Sequence, residues 1–170
     1  MKLFNFILAL LIGISVEAQP TPTSVVGEIN KFRLTQGVKA AKMDPAQNRA
    51  AQAQADWIAT TGLFQHNQNQ AANGLPLLAQ PWDRGNYFKA TVVAENFYGV
   101  AKSSTAAYVV KGWTESPGHR KNMLYQVGDL PELECRVGVG VAVLKSDPTK
   151  IIVVMVIGDN VDRATGQIRH

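Results

Sequence analysis

The residues of this chain that could perform chemistry are few and widely spaced. The sequence contains three histidines, His66, His119 and His170. His119 lies on a tight Ser-Pro-Gly turn, and Glu95 places a carboxylate in an otherwise apolar stretch. Two neutral imidazoles suit zinc or copper, and a carboxylate can orient one ring or act as a third ligand. The same groups could also serve as general acid and base, because a histidine beside a carboxylate titrates near neutral pH.

A complete catalytic set is missing from the sequence. There is no HExxH zinc signature, and Ser116 lies close to His119 in sequence without forming a triad, which is defined by spatial geometry. Cys135 opens a strand and is interpreted as a small buried hydrophobic residue rather than a nucleophile. Three interpretations of the histidines stay open: a hydrogen-bonded network, a weak divalent cation site with zinc as the cation, and catalysis. No cofactor is required by this set, and an enzyme is the less favoured reading.

The N-terminal segment is typical of a secretory signal peptide. Lys2 precedes an apolar run from Leu3 to Val16, too short to anchor in a bilayer, and small residues follow at cleavage spacing. We therefore expect residues 1–18 to be removed and the protein to be secreted, with no transmembrane segment. The net charge of +4 is dispersed, which argues against nucleic acid as a partner. The single cysteine allows no internal disulfide, and we expect a monomer.

Helices come first in the predicted order and strands come last. Asp44-Pro45 is a strong helix start, and Gly62 ends that helix. Residues 67–91 lack periodicity and are predicted to form a long loop. The remaining predictions are an extended linker over 19–23, a helix capped by Ser24 that stops before Gly37, a helix capped by Ser104 or Thr105 that runs through Trp113, a short helix after Ser116-Pro117, and strands Arg136–Leu144 and Lys150–Gly158.

The second predicted strand defines the fold class. Residues 151–157 are apolar on both faces, which places this strand centrally with helices above and below it. Gly138 and Gly140 alternate in the neighbouring strand and would let another element approach it closely. We therefore predict an α+β fold, a three-layer α-β-α sandwich with a small, mainly antiparallel sheet. One domain would cover residues 24–160, followed by a C-terminal tail over 161–170.

Several segments together resemble the CAP superfamily, also called SCP domains, the group of cysteine-rich secretory proteins, antigen 5 and pathogenesis-related proteins. The matching segments, in the family's order, are residues 29–33, 50–57, 62–66, 94–96, 113–124 and 137–141. The lack of disulfides resembles the family's microbial-style branch. The resemblance implies an α-β-α sandwich with a cleft of two histidines and two glutamates. His66, Glu95 and His119 match three of these positions; at the fourth the sequence has Ser116, with Glu115 one residue earlier.

The predicted loop offers a second kind of site. Trp82, Tyr87 and Phe88 place large aromatic side chains where a polar loop is expected. The segment resembles an aromatic loop through which some CAP members bind sterols or fatty acids; alternatively, Trp82 and Phe88 fold back as a satellite core. Three functions follow: a secreted protein that binds a small apolar ligand or a cell-surface partner, a metal-assisted peptidase or other hydrolase, and an interaction module of the envelope or cell wall. The incomplete catalytic set favours the first.

Overall fold

The computed structural model describes residues 18–128, 132–162 and 165–169. The predicted signal peptide, apart from its last residue, and His170 lie outside this part of the chain. The helices are α1 (Pro22–Thr35), α2 (Pro45–Thr61), α3 (Pro81–Phe88), α4 (Ala106–Glu115) and α5 (Pro117–Met123); the strands are β1 (Lys42–Met43), β2 (Ala94–Ala101), β3 (Cys135–Leu144) and β4 (Asp147–Asp159). No helix within the described residues has both the length and the apolar character needed to cross a membrane.

The four strands form one mixed sheet in the order β1-β3-β4-β2. Strand β4 pairs antiparallel with both β3 and β2, and only the two residues of β1 pair parallel with β3. The prediction of a mainly antiparallel sheet is therefore confirmed, with β1 as a short parallel addition. Strand β2 lies at one edge of the sheet, and this position decides where the candidate site forms.

Strand β4 separates the two halves of the core. Ile151, Val153, Met155 and Ile157 pack with side chains of α1, α4 and α5 on one face. The intervening residues Ile152, Val154 and Val156 pack with α2 on the other face. Because side chains alternate along a strand and every one of these is almost fully buried, helices must cover both faces. The predicted three-layer α-β-α sandwich is confirmed.

Helix α2 lies directly on the backbone of β3. A Cβ atom added at Gly138 would stand 2.1 Å from the backbone carbonyl carbon of Gln47, and one added at Gly140 would stand 2.4 Å from the Cα of Gln52. These separations are far inside van der Waals contact, so both positions require glycine. The expected role of the alternating glycines is confirmed, and the element that they admit is α2.

Helix α1 begins earlier than the sequence analysis predicts. Thr21 is its N-cap, Pro22 occupies the first turn, and the Thr21 backbone N–H donates a hydrogen bond to Ser24 Oγ at 2.9 Å, which completes a capping box. The predicted linker over 19–23 therefore extends only to residue 21, and Ser24 is the third helical residue rather than the cap. Proline at the first helical position favours the earlier start because its φ is already helical.

Three further elements, α3, β1 and β2, differ from the secondary structure predicted from the sequence. Helix α3 lies inside the predicted loop 67–91, and it begins where the Asp83 side chain accepts a hydrogen bond from the Gln80 backbone at 2.9 Å. Strands β1 and β2 were not predicted, because β1 has two residues and β2 combines polar, aromatic and glycine positions without alternation. By contrast, α2 has the predicted bounds, with the Asp44 carboxylate accepting from two backbone amides and Gly62 left-handed at φ 72°.

Candidate functional site

The site is built around the second residue of edge strand β2. The chain leaves α2 at Gly62 and brings His66 beside Glu95, whose Oε1 lies 2.9 Å from the imidazole Nδ1. The His66 ring also rests on Phe97, with ring centroids 4.7 Å apart. The Glu95 side chain is 1% exposed, whereas that of His66 is 48% exposed. A buried carboxylate therefore holds an imidazole that solvent and ligands can reach.

The second oxygen of Glu95 is held by Arg84 of helix α3. Arg84 Nη2 donates to Glu95 Oε2 at 2.6 Å, and the guanidinium also donates to the backbone carbonyls of Leu78 and His66, each at 3.1 Å. Arg84 is fully buried. Both carboxylate oxygens of Glu95 are thus engaged by nitrogen donors, and one donor group ties the loop of His66 to α3. Arg84 could not be recognised as a site residue from its sequence position, because nothing in the sequence distinguishes a buried arginine from an exposed one.

His119 reaches the same region from the first turn of α5. The Asn96 side chain donates to the His119 carbonyl at 3.0 Å, and Asn122 donates to the Asn96 side chain at 2.8 Å. These bonds fix α5 against the start of β2. Burial lowers the pKa of His119, and the nearby His66 lowers this pKa further. The two histidines, 53 positions apart in sequence by their numbering, therefore lie close enough for His66 to affect the pKa of His119.

The hydrogen bond to Glu95 determines which nitrogen of His66 is available. When Nδ1–H donates to the carboxylate, Nε2 keeps a lone pair that can ligate a cation or accept a proton. No group of three or more histidine, cysteine, aspartate or glutamate side chains suited to a metal occurs among the described residues. The donor set of the cleft is therefore two imidazoles, with Glu95 orienting His66. This set suits a borderline-soft cation such as zinc, held weakly with water or a ligand atom completing the coordination.

Glu115, the candidate for the fourth cleft position, is engaged elsewhere. It is the last residue of α4, and its carboxylate accepts a hydrogen bond from Lys111 one helical turn earlier. Its side chain is 62% exposed. Ser116 has extended backbone as the N-cap of α5, and its side chain makes no capping hydrogen bond. The geometry thus brings together His66, Glu95 and His119, and pairs Glu115 with a lysine on the helix surface.

The three aromatic residues of the predicted loop divide between surface and core. Trp82 and Tyr87 of α3 are half exposed, whereas Phe88 packs against the core between α2 and the sheet. The satellite-core alternative therefore holds for Phe88 alone. A cavity of about 450 Å³ opens beside Trp82. Its other lining residues are Asn86, Lys89, Ala90, Thr91, Val92, Asp162 and Arg169.

Comparison with known proteins identifies the family. The sequence profile of the cysteine-rich secretory protein family, CAP, matches residues 26–156. The chain belongs to the CAP family. Among solved structures, it is similar to an outer surface protein of Borrelia burgdorferi, with TM-score 0.58 and 15% identity over 79% of this chain and 88% of that one. No curated protein matches the chain.

A second solved structure is an extracellular protein containing an SCP domain from Bacillus anthracis, with TM-score 0.54 and 19% identity. The similarity covers 79% of this chain but only 39% of the Bacillus protein. At these identities the likeness shows the shared fold. Within this CAP domain Cys135 is a free, buried thiol whose pKa is raised by burial, which fits the predicted structural role.

Proposed function

We propose that this protein is an extracellular CAP-domain binding protein, and that its cleft holds a divalent cation such as zinc weakly and reversibly. One observation carries the proposal: Glu95 and Arg84 hold the half-exposed imidazole of His66 in one orientation. Metal-ligating histidines almost always donate their other ring N–H to a carboxylate, a backbone carbonyl or water, and Glu95 is placed to be such a partner of His66. When bound, the cation would supply a Lewis-acidic anchor for an oxygen or nitrogen atom of a partner.

The protonation states of the cleft support binding at neutral pH. Ligation needs neutral imidazoles, and burial together with His66 lowers the pKa of His119, so that its ring loses its proton more readily. His66 can present Nε2 to the cation while Nδ1–H stays with Glu95. Two protein nitrogens leave the remaining positions open, so we expect an exchangeable site rather than a structural one.

A calorimetric titration with zinc tests this function. We expect one binding event per chain in the wild type, and at least a tenfold loss of affinity in His66→Ala and in His119→Ala, because each removes one of two ligands. Glu95→Gln should weaken binding about 10- to 100-fold, the usual effect of losing the partner that orients a ligating imidazole. Glu115→Gln is the matched control, and its affinity should equal that of the wild type. Unchanged affinity in both alanine variants would reject the cation site.

The cavity beside Trp82 favours a second candidate function, the binding of a fatty acid. Trp82, Ala90 and Val92 supply apolar wall, while Lys89 and Arg169 supply two positive charges against the single negative charge of Asp162, so that the lining could meet a carboxylate. The buried Nε of Arg169 has no hydrogen-bond partner in the described part of the chain. This combination suits a fatty acid better than a sterol, which carries no anionic group.

Displacement of a fluorescent fatty acid tests the second candidate. We expect saturable binding, a loss of affinity in Trp82→Ala, and weaker competition by the methyl ester than by the free acid. A sterol that competes as well as the acid would contradict the assigned role of the cationic side chains. The metal-assisted hydrolase stays an alternative: peptide hydrolysis that requires both His66 and His119 would favour it over a binding protein.

A further inference from the structure

Strand β2 forms an outer edge of the sheet, and half of its backbone groups face away from β4. The backbone N–H of Lys102 donates to the Thr149 carbonyl at 2.7 Å, so the pair Lys102–Thr149 is hydrogen-bonded. In the same register, Val100 pairs with Ile151 and Tyr98 pairs with Val153. In an antiparallel pair, hydrogen-bonded positions alternate along the strand. The even-numbered residues of β2 therefore bond to β4, and odd-numbered residues direct their backbone groups outward.

The outward groups are covered at the two ends of β2 and open between them. The Glu95 carbonyl accepts from Asn122 at 3.3 Å, and the Ala101 carbonyl accepts from the Ser104 backbone at 2.9 Å. Among the residues that the structure describes, none makes a hydrogen bond to the outward N–H and C=O of Phe97 or Gly99. The open groups on these two residues are the donors and acceptors with which an antiparallel or parallel strand pairs.

Aromatic side chains flank the open segment on both faces of the sheet. On the α2 face, Phe64 lies beside Gly99 and contacts Phe97 edge-on with centroids 6.5 Å apart. On the opposite face, Tyr98 and Tyr108 stack with centroids 6.5 Å apart. Phe64 and Tyr108 are each at least half exposed. The backbone edge thus lies between two apolar walls that side chains of an added strand would contact.

The open segment also lacks the usual devices that protect an edge strand. Natural edges carry charges, proline or bulges that discourage pairing. Residues 97–99 are Phe-Tyr-Gly and contain none of these, and their pairing with β4 is regular. The unpaired backbone groups of such an edge match one kind of ligand, another extended peptide backbone. Only an extended backbone presents N–H and C=O groups at the matching repeat of about 6.8 Å, twice the rise per residue.

We propose that the edge of β2 binds an extended peptide segment of a partner protein, which adds a strand to the sheet with apolar side chains on both faces. The segment would pair with the outward groups of Phe97 and Gly99, and its side chains would contact Phe64 on one face of the sheet and Tyr108 on the other. This interaction surface is separate in its chemistry from the histidine cleft, since it uses backbone groups and needs no cation.

A synthetic peptide tests the proposal. The probe is an acetylated and amidated peptide with consecutive valines at its centre, which are apolar on both faces of a strand, and glutamate at each end, the glutamates giving solubility and complementing the chain's net charge of +4. We expect saturable shifts of the Phe97 and Gly99 amide signals in ¹H–¹⁵N spectra. The matched control peptide is N-methylated on alternate residues, so that it keeps its side chains but loses the donors that face β2. Saturable binding of the methylated peptide with equal affinity would overturn the proposal, as would no binding of the unmodified one.

Two substitutions at one position test the protein side of the contact. Gly99→Pro removes an outward N–H without removing a ladder bond to β4. Gly99→Ala retains that N–H and, like proline, adds a Cβ atom at this position, about 3.0 Å from the Phe64 ring. We expect the proline variant to bind the probe at least tenfold more weakly and the alanine variant to bind within twofold of wild type. Equal affinities would overturn the proposal. If the proline variant does not fold, the methylated peptide still decides the outcome.

Sedimentation of the protein alone identifies a competing occupant. A dimer that forms without peptide and disappears in a folded Gly99→Pro variant would assign the edge to a second copy of this chain and overturn the partner-peptide proposal. We expect a monomer. The zinc titration on Gly99→Pro separates this surface from the cleft, because its zinc affinity should be unchanged whether or not the edge binds peptide.

Discussion

Replacing Glu95 with glutamine should show how strongly the fold depends on the ion pair behind the candidate site. The side chains of Glu95 and Arg84 are 1% and 0% exposed, and their closest atoms are 2.6 Å apart. Glutamine keeps the shape of glutamate, so the substitution removes the charge and leaves the guanidinium buried without compensation. Removing one partner of a buried pair typically costs about 3–5 kcal/mol, a large share of a typical free energy of unfolding of about 5–15 kcal/mol.

Urea unfolding followed by circular dichroism measures this loss, and a double-mutant cycle assigns its cause. Glu95→Gln and Arg84→Met should each destabilise the protein, whereas the double variant should lose less than the sum, with a coupling free energy of about 0.5–3 kcal/mol. Glu115→Gln is the control, because that carboxylate pairs with Lys111 at the surface and its loss should leave the unfolding midpoint unchanged. Additive effects, or a loss below about 1 kcal/mol in Glu95→Gln, would refute the reasoning.

Three other predictions concern packing, exposure and pH. Gly140→Ala should destabilise the protein by about 1–3 kcal/mol or more in urea unfolding, because its Cβ would overlap the α2 backbone. Gly27→Ala, on the open face of α1, is the control and should stabilise the protein by about 0.4–1 kcal/mol. Equal effects of the two substitutions would contradict this packing. Iodide should quench only Trp82, since Trp57 and Trp113 are buried, so a Trp82→Phe variant that is still quenched would disprove the assigned exposures. In metal-free buffer, the contribution of His119 to the free energy of unfolding should be fully present above the unfolded-state pKa of about 6.5 and should be lost as pH falls through the lowered folded-state pKa. The His119→Gln variant should lack this pH dependence. A gain in stability on acidification that depends on His119 would contradict the prediction.

The sequence predicted those parts of the fold in which local chemistry and tertiary packing agree. Asp44-Pro45 and Gly62 bound α2 as expected, because a carboxylate cap and a left-handed glycine depend on the local backbone alone. The alternating glycines of β3 predicted a close approach by another element. Strand β4 could be placed centrally, since an unbroken apolar run needs cover on both faces.

The sequence could not predict the elements that depend on tertiary contacts. Strand β2 has Glu95 and Asn96 as its second and third residues, and these polar side chains are buried only because Arg84, His66 and Asn122 meet them in the folded protein. Helix α3 has eight residues and no long apolar stripe, although Pro81 and Asp83 were readable start signals. Likewise, the four-residue spacing of Lys111 and Glu115 indicates in the sequence itself that Glu115 forms an ion pair with a lysine of its own helix.

The proposed function requires that His66 and His119 share one site in which Glu95 fixes the orientation of His66. Long-range ¹H–¹⁵N spectra of the imidazoles, recorded during a zinc titration, measure both requirements. We expect His66 to carry its proton on Nδ1 in the free protein, and the Nε2 signal of His66 and a ring-nitrogen signal of His119 to shift together with one midpoint. A His66 proton on Nε2, or zinc-induced shifts of one histidine without the other, would contradict the account.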